Sequence, residues 1–80
     1  LKKFDIELIK KSEKEVEELA AELRKVLGQR QAYYTRLTGI SKQFISVFVS
    51  GKKGMGIDNL IHIYTCIQED DNDSNTNKKP

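Results

Sequence analysis

Residues Gln31 to Ser50 read QAYYTRLTGISKQFISVFVS, and Gly51 follows at once. Ala32, Tyr34, Thr35 and Thr38 recur at the i, i+3, i+4 spacing of a buried helical stripe. After Ser41 the pair Ile45 and Phe48 keeps the same period, with Ile40 filling the gap between the two runs. Gly39 adopts a left-handed backbone at little steric cost, so one helix can stop there and another leave at a steep angle. Ser41 is placed to cap the second helix by accepting from its first free N–H groups. Helix, glycine turn and capped helix together predict a helix-turn-helix.

The surrounding sequence extends this unit to a small all-α bundle of about four helices. Ser12-Glu13-Lys14-Glu15 is a capping box opening a helix to about Leu27. Val16, Leu19, Ala20, Leu23, Val26 and Leu27 form its apolar stripe, and Gly28 is expected to end it. Glutamates at its start and Arg24-Lys25 at its end complement the helix dipole. These two cations could also lie near a phosphate. A last helix is expected from about Ile57 to Ile67, burying Ile57, Leu60, Ile61, Tyr64 and Ile67. His62 falls on its polar side as a solvated residue, and Cys66 reads as a small packing residue. Between the last two helices, Lys52-Lys53-Gly54-Met55-Gly56 is a flexible basic loop.

The ends are less regular. In residues 1–11, KFDIELIK alternates apolar and polar, placing Phe4, Ile6 and Leu8 on one face of a strand. The same letters also suit a short helix capped by Asp5. A lone strand needs a partner for its backbone groups, so the strand reading implies a ribbon between two copies of the chain. The arm is thus a candidate dimerisation element; the plainer alternative is a mobile arm or an N-terminal extension of the helix that follows. From Glu69 onward EDDNDSNTNKKP has no apolar residue and predicts a disordered polar tail over 69–80, leaving 12–68 as the folded domain.

The run Thr38 to Lys53, TGISKQFISVFVSGKK, resembles the phage lambda repressor/Cro-like (XRE-type) helix-turn-helix family, whose members often carry T-G-I-S and a later S-G-K. Gln31 falls where that family commonly has a glutamine, and Ile57, Leu60, Ile61 and Ile63 match its following helix. The likeness spans roughly Val16 to Ile67. Thr35, where the family prefers alanine, and the Gly54-Met55-Gly56 loop depart from it. The resemblance implies double-stranded DNA binding by a transcriptional regulator, a repressor in the simplest case, with the second motif helix in the major groove. It puts Lys42, Gln43, Ser46 and Val47 toward the groove.

The exposed start of that helix, Ser41, Lys42, Gln43, Phe44, Ser46 and Val47, is the candidate base-reading set. Gln43 suits adenine, Lys42 suits guanine, and Val47 suits a thymine methyl. Without the turn beside them, Lys42 and Gln43 would be an ordinary solvated helix face. Phe44 has three open readings: a thymine methyl, a neighbour such as Met55, or a second subunit. Arg30, Gln31, Tyr33, Ser50, Lys52 and Lys53 are the candidate phosphate contacts, Gln31 adding the free N–H groups of a helix start.

Charge is partitioned in the same sense. Residues 24–62 hold seven cations against Asp58 alone, while residues 1–23 and 63–80 each carry a net −2. Cations gathered about one helical unit are the footprint of a phosphate-backbone binder. With 80 residues and 38% hydrophobic content, the chain has room for one core, and a homodimer on a near-palindromic site would enlarge a small interface. One cysteine fits a reducing, cytoplasmic compartment, nucleoid-associated in a bacterium or phage. No signal peptide or membrane span is visible, and the initial leucine points to a natural start upstream. Zinc-ligand spacing and a Walker-type loop are absent, so neither an enzyme nor a cofactor is expected. The competing reading is a protein-interaction module, antitoxin-like or an assembly factor, that uses the same helical surface.

Overall fold

Ser12 opens the helix on which the others pack. Its Oγ accepts from Glu15 N at 3.4 Å, and the helix, α2 (Glu13–Gln29), carries Leu19, Leu23 and Leu27 fully buried on one side. The computed structural model describes the backbone of residues 2–77 and the side chains of residues 2–71. Before α2 lies α1 (Ile6–Ile9), and after it come α3 (Gln31–Thr38), α4 (Lys42–Val49) and α5 (Ile57–Asn77). The result is a compact, all-helical packing. Ile45 and Phe48 from α4, Leu60, Ile63, Tyr64 and Ile67 from α5, and Ile9 from α1 join the leucines of α2 in one core. Among the described residues no helix is long and apolar enough to cross a membrane.

Gly28 does not end α2. It lies inside the helix, and a Cβ there would come within 3.3 Å of Val49 Cγ1, so the glycine lets α2 and α4 approach closely. The chain turns instead at Arg30, which closes α2 and opens α3 with φ −149° and ψ 65°.

The strand alternative for residues 1–11 does not hold, since no strand occurs among the described residues. Asp5 Oδ1 accepts from Glu7 N at 2.9 Å and caps α1. Helical rather than strand periodicity then sorts the side chains. Ile9 is fully buried, Phe4 and Ile6 pack against the core, and Leu8 turns outward at 47% exposure. The arm is fastened to α5 as well, Phe4 N donating to Tyr64 Oη at 2.7 Å with the two rings edge to face.

The last helix also departs from expectation. It continues through Asn77, so most of the segment expected to be a disordered tail is helical. An established helix gains a backbone hydrogen bond for each residue it adds, and this carries it past its apolar stripe. Ile63 is fully buried where the stripe omitted it, and Ile57 at the helix start is 39% exposed. On α3, Ala32 is exposed, while Leu37 packs against the core beside Tyr34.

Candidate functional site

The α3–α4 junction takes its shape from three residues. Gly39 has φ 77°, a left-handed conformation, and its N–H donates to Thr35 O at 3.0 Å. Thr38 is buried; its hydroxyl donates to Tyr34 O at 2.7 Å and accepts from Ile40 N at 3.2 Å. Ser41 is extended, and its Oγ accepts from Phe44 N at 3.1 Å to cap α4. At the far end of α4, Gly51 takes φ 83°, Lys52 N donates to Val47 O and Gly51 N to Phe48 O. This paired closure, with the Ser41 cap, gives the helix defined ends and a defined axis.

Burial of Ile45 and Phe48 turns the opposite face of α4 outward. Lys42, Gln43 and Ser46 are exposed, as are Ser41 and Ser50 at the two caps. Phe44 and Val47 are half-buried, and with Ser41, Gln43 and Lys53 they line an open concavity of about 290 Å³. Five candidate residues therefore meet at one depression, the polar Ser41, Gln43 and Lys53 exposed and the apolar Phe44 and Val47 half-buried. Lys42 and Ser46 stand on the same exposed face outside it.

The candidate phosphate contacts divide differently. Lys52 and Lys53 are exposed after the α4 terminus. Ser50 uses its hydroxyl locally, donating to Val47 O at 2.8 Å, so it is not a free donor. Arg30 and Gln31 stand at the start of α3, where no side chain caps the first turn and no acidic residue lies in it. The Arg30 guanidinium sits 4.2 Å from the Tyr33 ring centroid. The Tyr33 hydroxyl donates to Asp70 Oδ2 of α5, so this donor is engaged as well. That bond to a carboxylate pushes the Tyr33 phenol above the usual tyrosine range. Burial, followed by the charge of Asp71, raises Tyr34.

Two residues with structural parts in the site carried no such signal in the sequence. Arg24 of α2 donates from Nε to Phe48 O at 2.8 Å, and its guanidinium lies 4.5 Å from the Phe48 ring centroid. It fastens the end of α4 to α2 and does not face outward as a free cation. His62 of α5 is not simply solvated. Its Nε2 donates to Thr38 O at 2.8 Å, tying the α3 terminus to α5. Cys66 lies one turn along from His62, with its thiol raised mainly by burial and further by Glu69, so it is a poor nucleophile.

Comparison with protein-family models, with characterised proteins and with solved structures finds no match to this chain.

Proposed function

We propose that the protein binds double-stranded DNA in a sequence-specific manner, with α4 lying in the major groove, as a transcriptional regulator of the lambda repressor/Cro-like kind. Repression is the simplest mode, since occupying a promoter requires only binding. The observation that carries this reading is the outward face of α4. A helix closed at both ends presents Lys42, Gln43 and Ser46 to solvent beside the Phe44–Val47 concavity. An α-helix fits the major groove, and amide, ammonium and apolar groups are those that read base edges and thymine methyls there. The net +6 of residues 24–62 supports the same conclusion, because phosphate neutralisation supplies most of the affinity.

In this reading Gln43 bonds adenine, Lys42 reaches guanine, and Phe44 and Val47 accept a thymine methyl. Arg30, Gln31, Lys52 and Lys53 hold phosphates. A single small module binds weakly, so a homodimer on half-sites about 34 Å apart is part of the proposal. Selection of bound duplexes from a random pool tests it, and a two-fold symmetric site is the expected product. Gln43→Ala should then cost about 1–3 kcal/mol of discrimination at one base position. Equal weakening on every sequence contradicts the assignment of Gln43.

The half-buried Phe44 and Val47 favour one other reading, a protein partner docked on the same concavity. The two differ in salt response. Duplex binding falls steeply between low and physiological salt, whereas an apolar protein contact changes little.

A further inference from the structure

The start of α3 should welcome an anion. Its first-turn N–H groups have no side-chain cap, Arg30 stands beside them, and no acid lies in that turn. Among the described residues Arg30 has no carboxylate within ion-pair distance. The structure nevertheless brings a carboxylate to this place from the far end of the chain. Asp70, 37 residues from Tyr33 in sequence, accepts a hydrogen bond from the Tyr33 hydroxyl, and Arg30 covers the ring of the same tyrosine. Asp71 follows within electrostatic range of Tyr34. Asp70 thus lies against a side chain that would meet a phosphate, with Asp71 next to it in the chain.

We propose that the acidic end of α5 is an internal competitor of the nucleic-acid backbone: Asp70 holds the Tyr33 hydroxyl and sets negative charge at the α3 start, lowering affinity for duplex DNA until it is displaced. This rests on the DNA-binding reading. It adds that the phosphate anchor at α3 is masked in the free protein while the anchor at Lys52 and Lys53 is open. Displacement would free a neutral donor and relieve repulsion between the carboxylates and the incoming strand. A duplex held at the start of α3 must lift the end of α5 away from it.

The test uses the full chain and a short mixed-sequence duplex at low ionic strength, read by fluorescence anisotropy. Asp70→Ala should bind roughly fivefold more tightly than the parent, from one released donor and one charge removed. Glu17→Ala, which removes an equal charge from the exposed side of α2, should change affinity by less than about twofold, as exposed and distant charges are screened. Tyr33→Phe should matter little in the parent but remove part of the gain in the Asp70→Ala background, a coupling that a uniform charge effect does not produce. Where the alanine variant fails to fold, Asp70→Asn keeps an oxygen for the hydroxyl while losing the charge, and should still tighten binding. Equal binding by Asp70→Ala and Glu17→Ala overturns the proposal while leaving DNA binding intact. No binding by any protein, parent included, overturns the DNA reading itself.

Discussion

Arg24→Ala isolates the tie between α2 and the end of α4. The change removes a 2.8 Å bond from a charged donor to Phe48 O and a guanidinium stacked 4.5 Å from the Phe48 ring centroid. A hydrogen bond to a charged group contributes about 1.5–3 kcal/mol. A cation over an aromatic ring adds about 0.5–1 kcal/mol when partly solvated. The Phe48 carbonyl still accepts from Gly51 N at 3.0 Å in the variant, so no orphaned acceptor is left and the lower part of the range applies. A loss of about 2 kcal/mol is expected. For a domain of this size that is a fall in Tm of roughly 8–16 °C.

Thermal and urea unfolding followed by far-UV circular dichroism measure it. Arg24→Lys keeps the charge without the planar fork and should recover only part of the loss. Arg24→Met keeps most of the stem, and its stability above alanine reports packing alone. A change within about 0.5 kcal/mol for Arg24→Ala, the range of an ordinary surface substitution, refutes the tie. The same variant separates this role from phosphate contact. Under folding conditions its duplex affinity should keep the parent's salt slope, whereas a lost phosphate contact would lower the slope by about 1.

Three further outcomes follow from other positions. Thr35 Oγ1 is buried without a hydrogen-bond partner, so Thr35→Val, which keeps the shape and drops the hydroxyl, should stabilise by about 1 kcal/mol in urea unfolding; a destabilised variant would show that the hydroxyl is satisfied in solution. Gly39→Ala meets no atom within 4 Å, so its expected cost of about 1–2 kcal/mol is left-handed backbone strain alone. Stability unchanged in the alanine variant would mean that the turn relaxes to a different backbone. Tyr33 and Tyr34 titrate above the usual value of 10 in the folded chain, Tyr33 chiefly through its bond to Asp70 and Tyr34 chiefly through burial. The unfolded chain then loses these protons first, so their contribution is complete below pH 10 and declines as pH rises through the folded values. Tyr33→Phe should flatten that alkaline decline in a series of melting curves, and an identical decline in the variant would assign it to other groups.

Local signals carried the reading of α2 and α4 because each helix announces itself in consecutive residues. Ser12 and Ser41 cap where a serine precedes an apolar period, and Gly39 and Gly51 take the left-handed backbone that ends α3 and α4. Residues 1–11 leave two readings open to the same method, and the helix capped by Asp5 is the one the structure has. Over one helical turn the two periods place different residues inward only once, at Leu8 against Ile9, and Asp5 caps a helix as readily as it ends a strand. Gly28 looked like a terminator, since close approach by Val49 from a later helix has no trace in the neighbouring letters. Beyond Ile67 the sequence loses its apolar stripe, yet the backbone needs none to add further turns.

The candidate site was legible to the same extent and for the same reason. Exposure of Lys42, Gln43 and Ser46 follows from the burial of Ile45 and Phe48 on one short helix, and could be read from spacing. The orientation of that helix could not. Arg24 and Phe48 are 24 residues apart, as are His62 and Thr38, and Tyr33 and Asp70 are 37 apart. Each pair joins a polar side chain that looked solvated to a group on another helix. A cation in the stripe-flanking position of α2 looks the same in sequence whether it faces water or a carbonyl, so the sequence does not separate a structural arginine from one that is open to a ligand. With Arg24 engaged by Phe48, Lys42, Lys52 and Lys53 are the exposed cations nearest the outward face of α4 in sequence. An anion drawn to the outward face of α4 should therefore meet Lys42, Lys52 and Lys53 first.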